Sequence, residues 1–339
     1  DPTRFSTQWP RDRVASRVAT IAPDIINLHW ICGGYLQIET LARLGKPIVW
    51  TLHDMWPFTG GCHYSQTCDR YTQSCGACPK LNSTRDRDLS RWVWQRKARA
   101  WSNLNLTIVT PSHWLAECAR ASSLFRHLPV EVIANSLDTR IYQATDKQLA
   151  KKQLGFPQNK QIILFGAILA TRDRRKGYHL LKAAIQQLAL SPRSRNLEVT
   201  IFGASQPENA PNFGLKTRYC GTVDDDRSLS LLYSAADVFV APSLEDNLPN
   251  TVMEALACGT PCVAFKTGGI PDLIEHQHNG YLAQPFVIED LAQGITWILE
   301  NETRHHQLRD RARKKIEQEF TLNCQSQRYA SLFNRLQHE

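Results

Sequence analysis

The chain has 339 residues, more than one ordinary core organises, which predicts two domains of roughly 150 residues each. The composition is that of a globular protein. No run approaches the roughly eighteen apolar residues of a membrane span and no signal peptide is present, so a cytoplasmic protein is expected.

Of the net charge of +8, residues 1–140 carry 17 Lys and Arg against 11 Asp and Glu, a net +6. Such an excess suits ordinary solvation, an anionic acceptor, or peripheral contact with an anionic membrane at its inner face. Nucleic acid is not expected: no zinc-finger, helix-turn-helix or RNP pattern occurs, and the basic residues are not interleaved with aromatics along a strand.

In chain order, an amphipathic segment at 11–21 is stopped by Pro23, and an apolar strand follows at 25–30. A glycine pair, Gly33-Gly34, precedes a helix ending at 40–44, and a second buried strand is expected at 47–52. Apolar strands alternating with helical patterns predict a parallel sheet. The second strand delivers His53-Asp54 to its carboxyl end, where ligands of open α/β sheets bind.

Next come Cys62, Cys68, Cys75 and Cys78, spaced C-x5-C-x6-C-x2-C. Four thiols this dense suit a tetrahedral structural zinc site, although only Cys75-x2-Cys78 has a standard zinc spacing; free thiols or disulfides are the alternatives. Residues 85–101 form a basic helix with Trp94 and Trp101 on one face. A strand at 106–110 and a helix from His113 continue the alternation. A polar linker is expected at 139–158.

The second half opens with a strand at 161–165, then Gly166 and the loop ATRDRRKGYH ahead of a helix. Three Arg and a Lys before a helix N-terminus suit a solvated charged loop or an anion-binding one. Strands are expected at 197–203 and 219–223. Asp224 to Asp226 spell an Asp-x-Asp metal motif but read better as the cap of the helix that follows.

The stretch 241–264, APSLEDNLPNTVMEALACGTPCVA, places Asp246 in a loop and Glu254 eight residues on, within a helix. Pro249 suits the first helical position, Asn247 or Asn250 its cap, and Gly259 its end. A free helix N-terminus is a seat for phosphate, whereas carboxylates beside it accept hydrogen bonds from hydroxyls. A sugar nucleotide offers both.

Here the chain resembles the retaining glycosyltransferases of family 4, which have the GT-B fold of two Rossmann-like domains facing a cleft. The family signature, Glu, seven residues, Glu and then Ala-x-Gly-x-Pro, is matched by EALACGTP, with Asp246-Asn247 standing where Glu-Gly is usual. The resemblance implies that Asp246, Asn247, Leu248, Pro249 and Glu254 hold the donor, a nucleoside diphosphate sugar. Lys176 meets its diphosphate, and Arg175 (or Arg172 or Arg174) supplies the guanidinium missing after Gly166. The segment ending at Val223 meets the base, and His53 of TLHD orients the sugar.

It further implies transfer of the sugar with retention to a saccharide or lipid-linked acceptor, without a catalytic metal. The expected domains are 1–140 on the acceptor side, 141–321 on the donor side, and a helix at 322–339 that crosses back. Residues 1–140 allow few strands for half of such a fold, so a first domain lacking its opening strand and glycine loop is expected. A phosphorylase, an epimerase or a non-catalytic scaffold of the same fold is the rival reading.

Overall fold

A computed structural model describes residues 5–167 and 171–338; the first residue of the ATRDRRKGYH loop, Ala170, lies outside them. Two compact units are present, one comprising the chain up to Ala134 together with the chain from Ser326, the other residues 135–325.

In the first unit the elements are α1 (Val14–Ile21), β1 (Ile26–Leu28), β2 (Ile48–Thr51), α2 (Leu89–Trp101), β3 (Leu106–Thr110), α3 (His113–Ala121) and β4 (Val130–Val132). The strands form a parallel sheet in the order β1-β2-β3-β4. The helix expected to end at 40–44 is a 3-10 turn, Ile38–Arg43. Trp50, Trp56, Trp101 and Phe125 pack as tilted and edge-on rings at the centre of this unit's core. Asp88 caps α2 by accepting from Arg91 N, and Ser112 caps α3 through Leu115 N.

The second unit continues with α4 (Lys147–Gln153), β5 (Gln161–Gly166), α5 (Tyr178–Ala189), β6 (Leu197–Phe202), β7 (Lys216–Tyr219), α6 (Asp226–Ala235), β8 (Val238–Ala241), α7 (Asn250–Ala257), β9 (Cys262–Phe265), α8 (Ile270–Leu273), β10 (Gly280–Ala283), α9 (Ile288–Leu299), α10 (Glu302–Glu319) and α11 (Leu322–His338). Its six parallel strands run β10-β9-β8-β5-β6-β7. Strand order therefore reverses between β5 and β8, whose carboxyl ends carry the Lys176 and Asp246 loops. From Ser326 onward α11 belongs to the first unit. There Leu332 packs with Val49, Val109 and Ile133, and Tyr329 Oη lies 2.7 Å from Thr51 Oγ1.

Two expectations are corrected. The linker at 139–158 contains α4, capped by Asp146 and fastened to the sheet: Lys147 and Lys151 reach Asp237 at 2.6 and 3.0 Å, and Asp237 also accepts from Ile162 N. The strand expected at 219–223 lies earlier, at Lys216–Tyr219. It stops because Gly221 turns at φ +68° and its carbonyl accepts from Gly203 N.

Burial works to raise the Asp237 pKa, but Lys147 and Lys151 outweigh it and hold the carboxyl below its ordinary 3.8. A depressed carboxyl contributes stability that is present above the unfolded pKa and lost as pH falls through the folded one. Asp237→Ala should therefore cost about 3–5 kcal/mol in urea unfolding at neutral pH, because the Lys151 side chain, 2% exposed, is left without its counter-charge. The cost should shrink on acidification below pH 3.8. A loss under about 1 kcal/mol would show that the triad does not fasten α4.

Candidate active site

The loop after β5 and the loop after β8 are locked to each other by their backbones. Leu244 N donates to the Arg175 carbonyl (2.8 Å), and the Arg175 guanidinium donates to the Glu245 carbonyl (2.8 Å). Gly177 sits at φ +72°, and a Cβ there would lie 1.8 Å from the Pro242 carbonyl oxygen, so only glycine lets the loops approach this closely. The loop after β9 joins them: Gly269 N donates to the Asp246 carbonyl (3.0 Å), and Thr267 Oγ1 donates to the Ser243 carbonyl (3.0 Å).

In that frame Lys176 Nζ donates to Asp246 Oδ2 at 2.6 Å, and Arg175 lies 3.4 Å from the same oxygen. Two cations thus share one carboxylate. Burial would raise the Asp246 pKa, but Lys176 and Arg175 prevail and keep it ionised, below its ordinary value. Of the three arginines considered, Arg172 and Arg174 are exposed and Arg175 is folded into the site. Asn247, Leu248 and Pro249 are buried beside Asp246.

Pro249, not an asparagine, occupies the cap position of α7, with no side-chain cap bond. Asn250 is already helical, and its side-chain oxygen accepts from Asn135 at 3.5 Å. Glu254 accepts from Tyr233 Oη at 2.8 Å. Burial pushes its pKa up to about 7, only partly offset by the tyrosine, and Asp226 adds to the rise. Tyr233, on α6, and Tyr142, in the turn before α4, whose hydroxyl donates to Asp226, carried no signal of a site in the sequence.

Gly166 ends β5, and a Cβ there would meet the Phe202 ring at 2.2 Å, so close packing of β5 on β6 accounts for this glycine. Val223 lies in the loop between β7 and α6. Asp225 caps α6 by accepting from Ser228 N at 2.7 Å, and Asp226 is taken up by Tyr142, so two of the three carboxylates of the Asp-x-Asp stretch have structural partners.

In the first unit His53 follows β2, and its Nε2 is 2.9 Å from His29 Nδ1, the rings stacked at 5.2 Å. One ring must donate and the other accept. Burial and the neighbouring His29 lower the His53 pKa against the pull of Asp54, which leaves a neutral imidazole at pH 7. Asp54 is fixed by three donors, Trp56 N, Trp30 Nε1 and His63 Nδ1, at 2.9, 3.1 and 2.7 Å. His29, Trp30, His53 and Asp54 line one small cleft.

Cys62, Cys68, Cys75 and Cys78 are brought together around a single cavity. Among the described residues, however, no three His, Cys, Asp or Glu side chains stand where one ion would hold them, and no disulfide forms.

The family described as glycosyl transferases group 1 matches residues 146–315, and glycosyltransferase family 4 matches residues 2–141. Over 291 residues the chain is 26% identical to a D-inositol 3-phosphate glycosyltransferase of Arthrobacter sp. (strain FB24), covering 83% of this chain and 63% of that protein. The chain spans about half to two thirds of the length of the curated relatives it matches. Sucrose-phosphate synthase of Thermosynechococcus elongatus superposes with a TM-score of 0.70 at 20% identity, over 95% of this chain and 76% of that one. HepE of Anabaena, solved in complex with UDP-glucose, gives 0.66 at 21% identity, over 95% and 82%. Two parallel sheets in this arrangement are those of the GT-B fold, and the chain belongs to the group 1 glycosyl transferases.

Proposed function

We propose that this chain is a retaining glycosyltransferase that moves a sugar from a nucleoside diphosphate sugar to a hydroxyl of a saccharide or lipid-linked acceptor in glycoconjugate synthesis. The observation that carries the reading is the meeting of Lys176 and Arg175 with Asp246 at the carboxyl ends of β5 and β8, where the strand order reverses. Cations there are placed for the departing diphosphate, and a carboxylate among them is placed for sugar hydroxyls. Glu254 accepts the remaining donor hydroxyls, and Val223 and its neighbours face the base. UDP-glucose held by HepE supports a nucleotide sugar as donor.

In this reading the bond from the anomeric carbon to the diphosphate oxygen breaks as the acceptor oxygen bonds to that carbon on the same face, and the acceptor's proton passes to the departing diphosphate. Lys176 and Arg175 exchange Asp246 for the diphosphate oxygens as negative charge builds there. Asp246 is released to accept from the sugar, and neutral His53 is assigned to orienting that sugar. No step requires a proton relay through the cysteines.

Labelled UDP-sugars offered with saccharide acceptors test this. Labelled product whose anomeric coupling matches the donor supports it; an inverted product, or phosphate acting as the acceptor, removes it.

Asp246→Asn separates sugar recognition from diphosphate recognition. Removing one negative charge frees Lys176 and Arg175, so free UDP should bind at least as tightly as before. The preference for UDP-sugar over UDP should fall roughly tenfold or more, as a lost charge-assisted bond to a hydroxyl implies. Equal losses for both ligands in competition titrations would place Asp246 in the scaffold instead.

A further inference from the structure

β1 and β2 pair in parallel with Asn27 opposite Val49, and side chains two apart along a strand share a face, so Asn27 and His29 stand beside Thr51 and His53. α11 lies over that face, its Leu332 packed with Val49 and its Tyr329 against Thr51.

These polar side chains form one continuous series of hydrogen bonds. Tyr329 Oη lies 2.7 Å from Thr51 Oγ1, and Thr51 Oγ1 lies 3.4 Å from Asn27 Oδ1. Asn27 Nδ2 is 3.4 Å from His29 Nε2, and His29 Nδ1 is 2.9 Å from His53 Nε2.

Elementary acidity gives the series a direction. A phenol is a stronger acid than an alkyl hydroxyl and the better donor, so Tyr329 donates to Thr51, and Thr51 turns its own hydrogen to Asn27 Oδ1. An amide turned the other way would oblige Thr51 to donate to the phenol, the weaker arrangement. With Asn27 so oriented its NH2 faces His29 Nε2, and an NH2 only donates. His29 Nε2 therefore accepts. Partial burial lowers the His29 pKa, so this ring too is neutral and its one hydrogen stands on Nδ1. From there it donates to His53 Nε2, which leaves the hydrogen of His53 on Nδ1.

We propose that His29 is a positioning residue that fixes the tautomer of His53, with Nε2 bare and Nδ1 carrying the hydrogen. The tautomer decides which hydrogen bond His53 offers a sugar: an acceptor at Nε2, a donor at Nδ1. This consequence rests on the assignment of His53 to the sugar made above. His29 acts through His53 and needs no contact with a ligand of its own.

The test is the tautomer itself, read at pH 8 from long-range proton–nitrogen correlation spectra of the full chain carrying nitrogen-15 histidine. The two rings are assigned by the signals lost in His29→Asn and in His53→Phe. A protonated Nδ1 and a bare Nε2 on both rings is the expected result. Histidine free in water favours the hydrogen on Nε2, so this signature does not arise by default. His53 with its hydrogen on Nε2, or averaged between the two nitrogens, overturns the proposal.

His29→Phe keeps a ring to stack but has no donor. In it His53 should revert to the Nε2 tautomer, and kcat/KM for sugar transfer should fall roughly tenfold, the worth of one hydrogen bond. His29→Asn, whose amide N–H can stand where the Nδ1 hydrogen stood, should restore the tautomer and most of the rate. Free UDP should bind both variants as it binds the parent. An equal loss in both variants, or a loss in neither, makes His29 a packing residue and overturns the positioning role. A parent that transfers no sugar contradicts the proposed function alone, because its spectrum still decides the tautomer.

Discussion

Lys176→Ala is expected to lower kcat for sugar transfer by about 10²–10³-fold, the usual consequence of removing one donor aimed at charge that develops in the transition state. Lys176 stands on a loop whose position is set by Gly177, by the backbone bond from Leu244 N to the Arg175 carbonyl and by the Arg175 guanidinium on the Glu245 carbonyl, none of which the Lys176 side chain makes. The loop should therefore keep its shape. Asp246 retains Arg175 as a partner, so no buried carboxylate is abandoned. KM for the donor should rise less than kcat falls, because the charge on the departing diphosphate is greatest as it leaves. A variant with normal turnover would remove Lys176 from the chemistry.

Glu254→Gln should weaken donor binding roughly ten- to hundred-and-fifty-fold, the range for a charge-assisted hydrogen bond of about 1.5–3 kcal/mol. Its effect on stability should run the other way. The folded-state pKa of Glu254 is raised from 4.5 to about 7, so the protonated acid contributes stability that is full below 4.5 and lost as pH rises through 7. At pH 8 the buried charge is a cost that Gln does not carry, and the variant should unfold at higher urea than the parent.

Donor binding needs the carboxylate, which accepts two hydroxyls where the acid accepts fewer. Binding should therefore weaken as pH falls through 7, and below it should release a proton, visible as a buffer-dependent heat. That heat should vanish in Glu254→Gln. A parent whose affinity is flat between pH 5.5 and 8 would contradict the role.

The parts of the site legible in the sequence are those written as local punctuation. EALACGTP marks a helix and its stop, and Lys176-Gly177 marks a turn only glycine can make. Both stand where the sequence put them. Features made by pairs distant in sequence were not legible. His29 meets His53 only because β1 lies beside β2 in parallel register, with Leu28 opposite Trp50. The Tyr233 to Glu254 bond depends on how α6 packs beside α7.

The α4 segment, KQLAKKQ, is too polar to show a helical apolar face. It is helical because Asp146 caps it and Asp237, far along the chain, takes up two of its lysines. The expected cap at Asn247 or Asn250 failed for a local reason: Pro249 is held at φ −68° and ψ 115°, already the extended geometry of a cap residue.

The central claim, that the carboxyl ends of β5 and β8 bind a nucleoside diphosphate sugar, is tested most directly by calorimetric titration of the parent, Lys176→Ala and Glu254→Gln with a panel of nucleotide sugars. The account predicts one site per chain for at least one member of the panel, with affinity reduced in both variants while their unfolding remains cooperative. No binding by any nucleotide sugar, or equal affinity in all three proteins, would contradict it.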